Sequence, residues 1–345
     1  MKTKLSVILG SILCAALLVG VESAVATAKT VLNLNSQWPA TTVGSQVDQW
    51  FADEIKRRTN GEVEIKIFWS ESLGTPTETL TLMQEGAIDM AVLSPGYFPA
   101  ELPFHAAPNS IPMAMTSVTQ ASVLMKRLVE EVPAFREEQQ ANGIRSLFFH
   151  HLNPYLLVST EPITTIADMK GKKMRTWGNE MPRMVRAVGG TPITLMMPEI
   201  YESLSRGLID TAPFAVDLVE TYKLYEPAKH ISEITLWLGP SAATWISDQA
   251  WSRLTPEQQK IFLGVAEEAR ARDAEAVMEA ATLARGSLQA KGITFHNFPK
   301  SEAEKWREAN PDFFADFVAT MEKDGKGDDA QEMVDIWHEV VSSVH

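Results

Sequence analysis

Between Val31 and Val92 the chain alternates between two hydrophobic spacings, and this restricts the fold more than any other feature. Val31-Leu32-Asn33-Leu34-Asn35 alternates like a strand, and Val43, Val47, Phe51 and Ile55 then follow at helical spacings of four. Gly61 ends that helix and Val63 to Phe68 alternates again. Glu78 to Glu85 reads as a helix stopped at Gly86, and Ile88 to Val92 as a third strand. Strands separated by helices build a mostly parallel sheet. Ligands lie beyond the carboxyl ends of such strands. The loops Ser36 to Pro39, Ser70 to Gly74 and Ser94 to Phe98 are therefore expected around one cleft. Trp38, Trp69, Tyr97 and Phe98 lie on or near them, a recurrence that suits a pocket wall.

Downstream, Ser146 to His150 and Asn153 to Val158 read as strands passing between two domains. A second strand–helix pattern starts near Pro162, with a helix over Pro198 to Gly207. Ala243 to Ser247 returns to strand. Thr255 and Pro256 then supply a cap and a first helical position for a long helix over Glu257 to Lys291. Its charges are expected to form a solvated face. A late strand at Gly292 to His296 precedes a helical end broken at Gly325 to Asp329.

Residues 1–28 read as a secretory signal peptide: Lys2 and Lys4, an apolar run to Val21, and small-x-small sites ending at Ala26 and Ala28. The only cysteine, Cys14, falls in this segment, so the exported chain is expected to lack disulfides, thiolate catalysis and Cys-bound metal. No later run has the unbroken apolar length of a membrane span. A net charge of −13 offers no electrostatic basis for binding nucleic acid.

Catalytic patterns are missing. There is no HExxH, phosphate loop, dinucleotide fingerprint or GxSxG elbow. His150 and His151 are strand neighbours pointing to opposite faces, a poor arrangement for sharing a metal. Asp89 and Asp210 each follow a helix-stopping glycine and read as structural. Arg175 ends a strand-like run just before Trp177-Gly178. An arginine there presents its planar fork to a carboxylate, or joins a structural ion pair; its position alone leaves both open.

A longer pattern runs through this stretch: Gly171-Lys172-Lys173-Met174-Arg175-Thr176-Trp177-Gly178, then Gly189-Gly190-Thr191-Pro192, then Pro198-Glu199-Ile200-Tyr201 through Gly207-Leu208-Ile209-Asp210. Leu73-Gly74 and Gln84-Glu85-Gly86-Ala87-Ile88-Asp89 precede it. This order resembles the DctP-type solute-binding proteins of tripartite ATP-independent periplasmic (TRAP) transporters over essentially the whole chain after residue 28. The resemblance implies an α/β, two-domain periplasmic-binding-protein-like fold with a hinged cleft. Residues 29–151 plus 243–286 are expected in one domain, and 152–242 plus 287–345 in the other. It implies that Arg175 grips a substrate carboxylate, with Gln37, Trp38, Ser72, Tyr97 and Trp177 around it. It also implies a periplasmic protein that is not an enzyme and that hands its ligand to integral-membrane permease subunits. Service to a sensor system is the alternative. No cofactor or metal is expected, since no dedicated ligand cluster is present, although parts of the family bridge the carboxylate with a cation.

One departure stands out. Where the family commonly has D-G-x-x-N-P, this chain has Asp210-Thr211-Ala212-Pro213-Phe214-Ala215. Phe214 replaces a ligand-holding asparagine with a ring that cannot donate that hydrogen bond. A monocarboxylate with an apolar or aromatic body is therefore expected, ahead of a short dicarboxylate.

Overall fold

Apolar alternation at β1 (Thr30–Ser36), β2 (Val63–Phe68) and β3 (Met90–Leu93) places three parallel strands side by side, joined through α1 (Val43–Arg58) and α2 (Thr79–Gln84). The computed structural model describes residues 29–344, so the signal-peptide reading lies outside the described residues. The Thr42 side chain caps α1 by accepting the Ser45 N–H at 3.1 Å, and Lys56, Arg57 and Arg58 complement the far end of its dipole. After α3 (Pro103–Ser110), α4 (Val118–Glu131) and α5 (Pro133–Ala141), the chain forms β4 (Ile144–His151).

The chain then crosses to a second lobe through Leu152-Asn153-Pro154. There it forms β5 (Tyr155–Ser159), β6 (Lys173–Thr176), α6 (Glu180–Ala187), β7 (Thr191–Thr194), α7 (Ile200–Ser205), β8 (Thr211–Ala215), α8 (Val216–Thr221) and β9 (His230–Trp237). Leu238-Gly239 carries it back to β10 (Pro240–Ser247), followed by α9 (Asp248–Ser252) and α10 (Pro256–Ala290). The chain ends in β11 (Thr294–His296), α11 (Lys300–Ala309), α12 (Phe313–Lys323) and α13 (Gly327–Ser343). The first sheet has the order β2-β1-β3-β10-β4 and the second β11-β9-β5-β8-β6-β7.

Both sheets are more mixed than strand–helix alternation implies. β10 runs antiparallel to β3 and β4, and β5 antiparallel to β8 and β9. Each reversal involves a strand beside a lobe crossing. The two crossings lie together, with the Leu152 N–H donating to the Gly239 carbonyl at 3.4 Å. That pairing sets the two crossings side by side between the lobes.

The C-terminal chain does not divide between lobes as expected. β11 pairs with β9, and the Trp306 indole donates to the Met184 carbonyl at 3.3 Å, so this part belongs with the second lobe. Beyond it the chain returns to the first. Phe317 packs edge-on against Phe104 at 5.4 Å, and Gln120 of α4 donates to the carbonyls of Val341 and Val344 at 3.2 and 2.8 Å. α10 serves both lobes. Its early turns lie on α1 and β4, and Ser287 near its end donates to Glu220 just beyond the middle of α8 at 2.7 Å.

Nor is the charged surface of α10 wholly solvated. Asp273 is fully buried, and it binds both adjacent histidines. His150 Nδ1 lies 2.8 Å from its Oδ1, and the His151 backbone N–H donates to Oδ2 at 2.8 Å. His150 Nε2 reaches Asp48 Oδ1 at 3.1 Å. Burial alone would push the His150 imidazole down, but the charges of Asp48 and Asp273 outweigh it and raise it to about 10. Asp89 and Asp210 are structural, as expected. Asp89 accepts the Asn33 N–H and pairs with Arg253, while Asp210 accepts the Lys173 N–H at 2.8 Å.

Candidate functional site

β6 ends facing the seam between the lobes, and this places Arg175 beside loops from the first sheet. A cavity of about 20 Å³ there is lined by Gln37, Ser94, Tyr97, Asn109, Tyr155, Arg175, Trp177, Met197, Trp237 and Ser241. Gln37, Ser94 and Tyr97 follow β1 and β3, as the rule for carboxyl ends of strands requires. That volume is on the scale of a single water.

Arg175 is 2 % exposed. Its Nε donates to the Leu195 carbonyl at 3.2 Å, and its guanidinium lies over the Trp177 ring at 4.2 Å. Among the described residues, no carboxylate forms an ion pair with it within 4.0 Å. A buried cation without a fixed anion is costly to keep unless it serves a mobile one. The open choice between ligand arginine and structural ion pair thus falls against the ion pair.

Around it stands an aromatic box. Tyr155, Trp177 and Trp237 meet edge-to-face, with centroids 5.7 Å apart for Tyr155–Trp177, 5.0 Å for Tyr155–Trp237 and 5.7 Å for Trp177–Trp237. Burial raises the Tyr97 phenol above its ordinary value, with the Arg175 charge opposing. Its oxygen accepts the Met197 N–H at 3.2 Å, bridging the lobes. The Trp177 indole also bridges them, donating to the Asn109 carbonyl at 2.8 Å. Asn109 in turn donates to the carbonyls of Pro240 and Ser241, each at 2.8 Å. Gly96 permits this approach, since a Cβ there would stand 1.9 Å from Asn109 Oδ1.

Of the seven residues expected at the site, Arg175, Gln37, Tyr97 and Trp177 come together. Trp38, Ser72 and Phe214 lie outside the cavity lining. The chain bends at Gln37 and Trp38 just past β1, and Gln37 lines the cavity while Trp38 turns onto His150, centroids 5.0 Å apart. Ser72 is exposed. Backbone bonds from Ser70 to the Trp38 carbonyl and from Glu71 to the Ser36 carbonyl turn Glu71, not Ser72, inward. Glu71 Oε1 is buried without a protein partner, and burial together with the charge of Glu199 raises its carboxyl. Phe214 is fully buried one layer behind the wall, between Tyr155 at 5.7 Å and Tyr222 at 5.6 Å.

Asn109, Tyr155, Met197, Trp237 and Ser241 escaped the sequence reading, and Glu71 entered it only as part of the Ser70 to Gly74 loop. One usable signal was the Gly239-Pro240 break between two strand runs, which marks the second crossing and its flanking Trp237 and Ser241.

The family model described as bacterial extracellular solute-binding protein, family 7 (DctP), matches residues 34–320. A curated solute-binding protein of Roseobacter denitrificans is 25% identical over 258 residues, covering 71% of this chain and 74% of that protein. A TRAP periplasmic solute-binding protein from Desulfovibrio salexigens, solved with bound orotic acid, superposes with a TM-score of 0.81 at 21% identity, covering 92% of this chain and 100% of that one. One from Sulfitobacter, solved with β-D-galacturonate, gives 0.77 at 21% identity, with coverage of 90% and 99%.

Proposed function

This chain belongs to the bacterial extracellular solute-binding proteins of family 7, and from that premise we propose that it captures a small organic acid outside the cytoplasm for delivery to a TRAP-type permease. The family and its relatives are solute-binding proteins rather than enzymes. Among the described residues, no helix is long and apolar enough to cross a membrane.

The observation that carries this reading is Arg175, buried between two lobes without a carboxylate partner among the described residues. Its fork receives the ligand carboxylate bidentately, which fixes direction as well as charge. Gln37, Tyr97 and Trp177 complete the first contacts. The ligand is a monocarboxylate with a flat apolar or aromatic body, for three reasons. Arg175 is the sole cationic side chain among the described lining residues, and Tyr97, Tyr155, Trp177 and Trp237 offer ring faces and edges. Glu71 would repel a second carboxylate. Of the orotic acid and β-D-galacturonate bound by the two neighbours named above, orotic acid, a planar ring acid, suits these walls better than the sugar acid. Phe214 acts through Tyr155, holding its ring in place.

Binding closes the lobes about the paired crossings because the ligand makes contacts from both sides only in the closed state. The closed form docks on the permease, and uptake is driven by an ion gradient. Native mass spectrometry of protein purified without refolding tests the reading. A single small monocarboxylic acid, released unchanged on denaturation, is expected. Release of a non-acidic compound, or turnover of the acid on incubation, refutes it.

A further inference from the structure

Two further polar groups of the cavity lack a protein partner: the Trp237 indole N–H and the Ser241 hydroxyl. Trp237 is 1 % exposed and Ser241 6 %, so neither reaches bulk solvent in the closed arrangement. The rest of the wall is satisfied differently. Trp177 and Asn109 donate to backbone carbonyls, and Arg175 donates one bond to Leu195. An indole N–H only donates, so its missing partner must be an acceptor, and a serine hydroxyl can donate to the same atom.

Their places in the fold give the pair meaning. Trp237 ends β9 in the second lobe, and Ser241 is the second residue of β10 in the first. Gly239 between them is tightly enclosed. A Cβ there would lie 2.9 Å from Met115, 3.0 Å from the Pro108 carbonyl and 3.1 Å from the Trp237 ring. The indole is therefore wedged against the crossing that carries it. Trp177 is the common neighbour of Arg175 and Trp237, and these three line one cavity with Ser241.

We propose that the site reads a second pole of its ligand, a carbonyl or hydroxyl oxygen that accepts from both Trp237 and Ser241, and so selects oxygenated monocarboxylates over their deoxygenated analogues. This rests on the Arg175 cavity being the ligand site. An oxygen held by both ends of the β9–β10 crossing also ties ligand recognition to the closed geometry of that crossing. A site with buried donors rejects an analogue that leaves them unpaired more strongly than it rejects a small change in apolar shape.

The test uses three matched pairs in titration calorimetry: phenylpyruvate with 3-phenylpropanoate, 3-oxocyclopentanecarboxylate with cyclopentanecarboxylate, and 2-hydroxy-4-methylpentanoate with 4-methylpentanoate. The oxygenated member of each pair that binds is expected to bind at least about tenfold tighter. In Trp237→Phe and in Ser241→Ala the ratio within the pair falls towards one. A structural role would weaken both members alike and preserve the ratio, which would overturn the proposal. If Trp237→Phe fails to fold, Ser241→Ala carries the same readout. Equal affinities within every bound pair, with Arg175→Ala abolishing them all, refute the second pole while leaving acid capture standing. Failure of the wild-type protein to bind any of the six acids overturns this proposal, and if its purified ligand also lacks a carboxylate, the acid-capture reading falls too.

Discussion

Replacing Arg175 by methionine should weaken ligand binding and leave the ligand-free protein as stable as before or more so. The guanidinium is 2 % exposed, has one protein acceptor at 3.2 Å and one aromatic face at 4.2 Å, and has no carboxylate partner among the described residues. Truncating one partner of a buried charge pair costs about 2–5 kcal/mol. That corresponds to roughly thirtyfold to a few thousandfold in Kd. The stability balance runs the other way. Losing the carbonyl bond costs about 1.5–3 kcal/mol and the ring contact about 0.5–2 kcal/mol. Against these stands a desolvation penalty of several kcal/mol for an unpaired buried ion, which methionine removes while keeping much of the volume. Functional residues commonly show this opposition between stability and use. Titration of the acid released from the purified protein gives the first quantity, and thermal unfolding of ligand-free protein gives the second. Arg175→Lys should recover charge but not the bidentate fork, leaving affinity between wild type and methionine. Affinity within threefold of wild type would refute the reasoning. So would weakened binding with a Tm drop of more than about 5 °C, over 1 kcal/mol for a chain of this size, since that marks a structural group.

Phe214→Ala should destabilise the fold by about 3–5 kcal/mol in urea unfolding, because the ring is fully buried between Tyr155 and Tyr222. A loss under 1 kcal/mol would mean the ring is not a packing element. His150→Gln should cost about 3–5 kcal/mol at neutral pH by leaving Asp48 and Asp273 without their shared cation. The His150 pKa is raised to about 10, so its stabilisation is fully present below about pH 6.5 and is lost as pH rises through about 10. The deficit of the variant should shrink over that window, and a deficit independent of pH would contradict a charged imidazole. Glu71 has the opposite consequence for neutral pH. Its raised carboxyl favours folding only while protonated, so the penalty grows as pH rises above about 4.3. Glu71→Gln should therefore raise Tm at pH 7–8 and have little effect below about pH 4. An equal effect at both would place the cause elsewhere.

Local spacing determined much of this molecule. The β1–α1–β2–α2–β3 run, the cap at Thr255 with Pro256, and the turn after Arg175 all follow from contacts within a few residues. The carboxyl-end rule then gathered Gln37, Tyr97 and Arg175 into one place, because strand direction fixes where loops emerge. The family itself was legible from Gly171 to Asp210, where spaced glycines and prolines mark turns that few other chains need in that order. Three features depended on chain segments far apart and were not legible. Phe214 stood where a ligand contact was expected, but the α8 turn brings Tyr222 over it and closes it into the core. Asp273 read as one acid among many on a helix, and only the packing of α10 on β4 turned it inward to His150 and His151. Trp237 and Ser241 came to line one cavity as buried, unpartnered donors because the second crossing folds back beside the first. Sequence alone thus determined most of the elements, the family and the place of Arg175 at the end of its strand, which depend on local periodicity and turn chemistry. Tertiary structure decided which side chains line the cavity and which stand behind it, because that depends on long-range packing at the seam between two lobes.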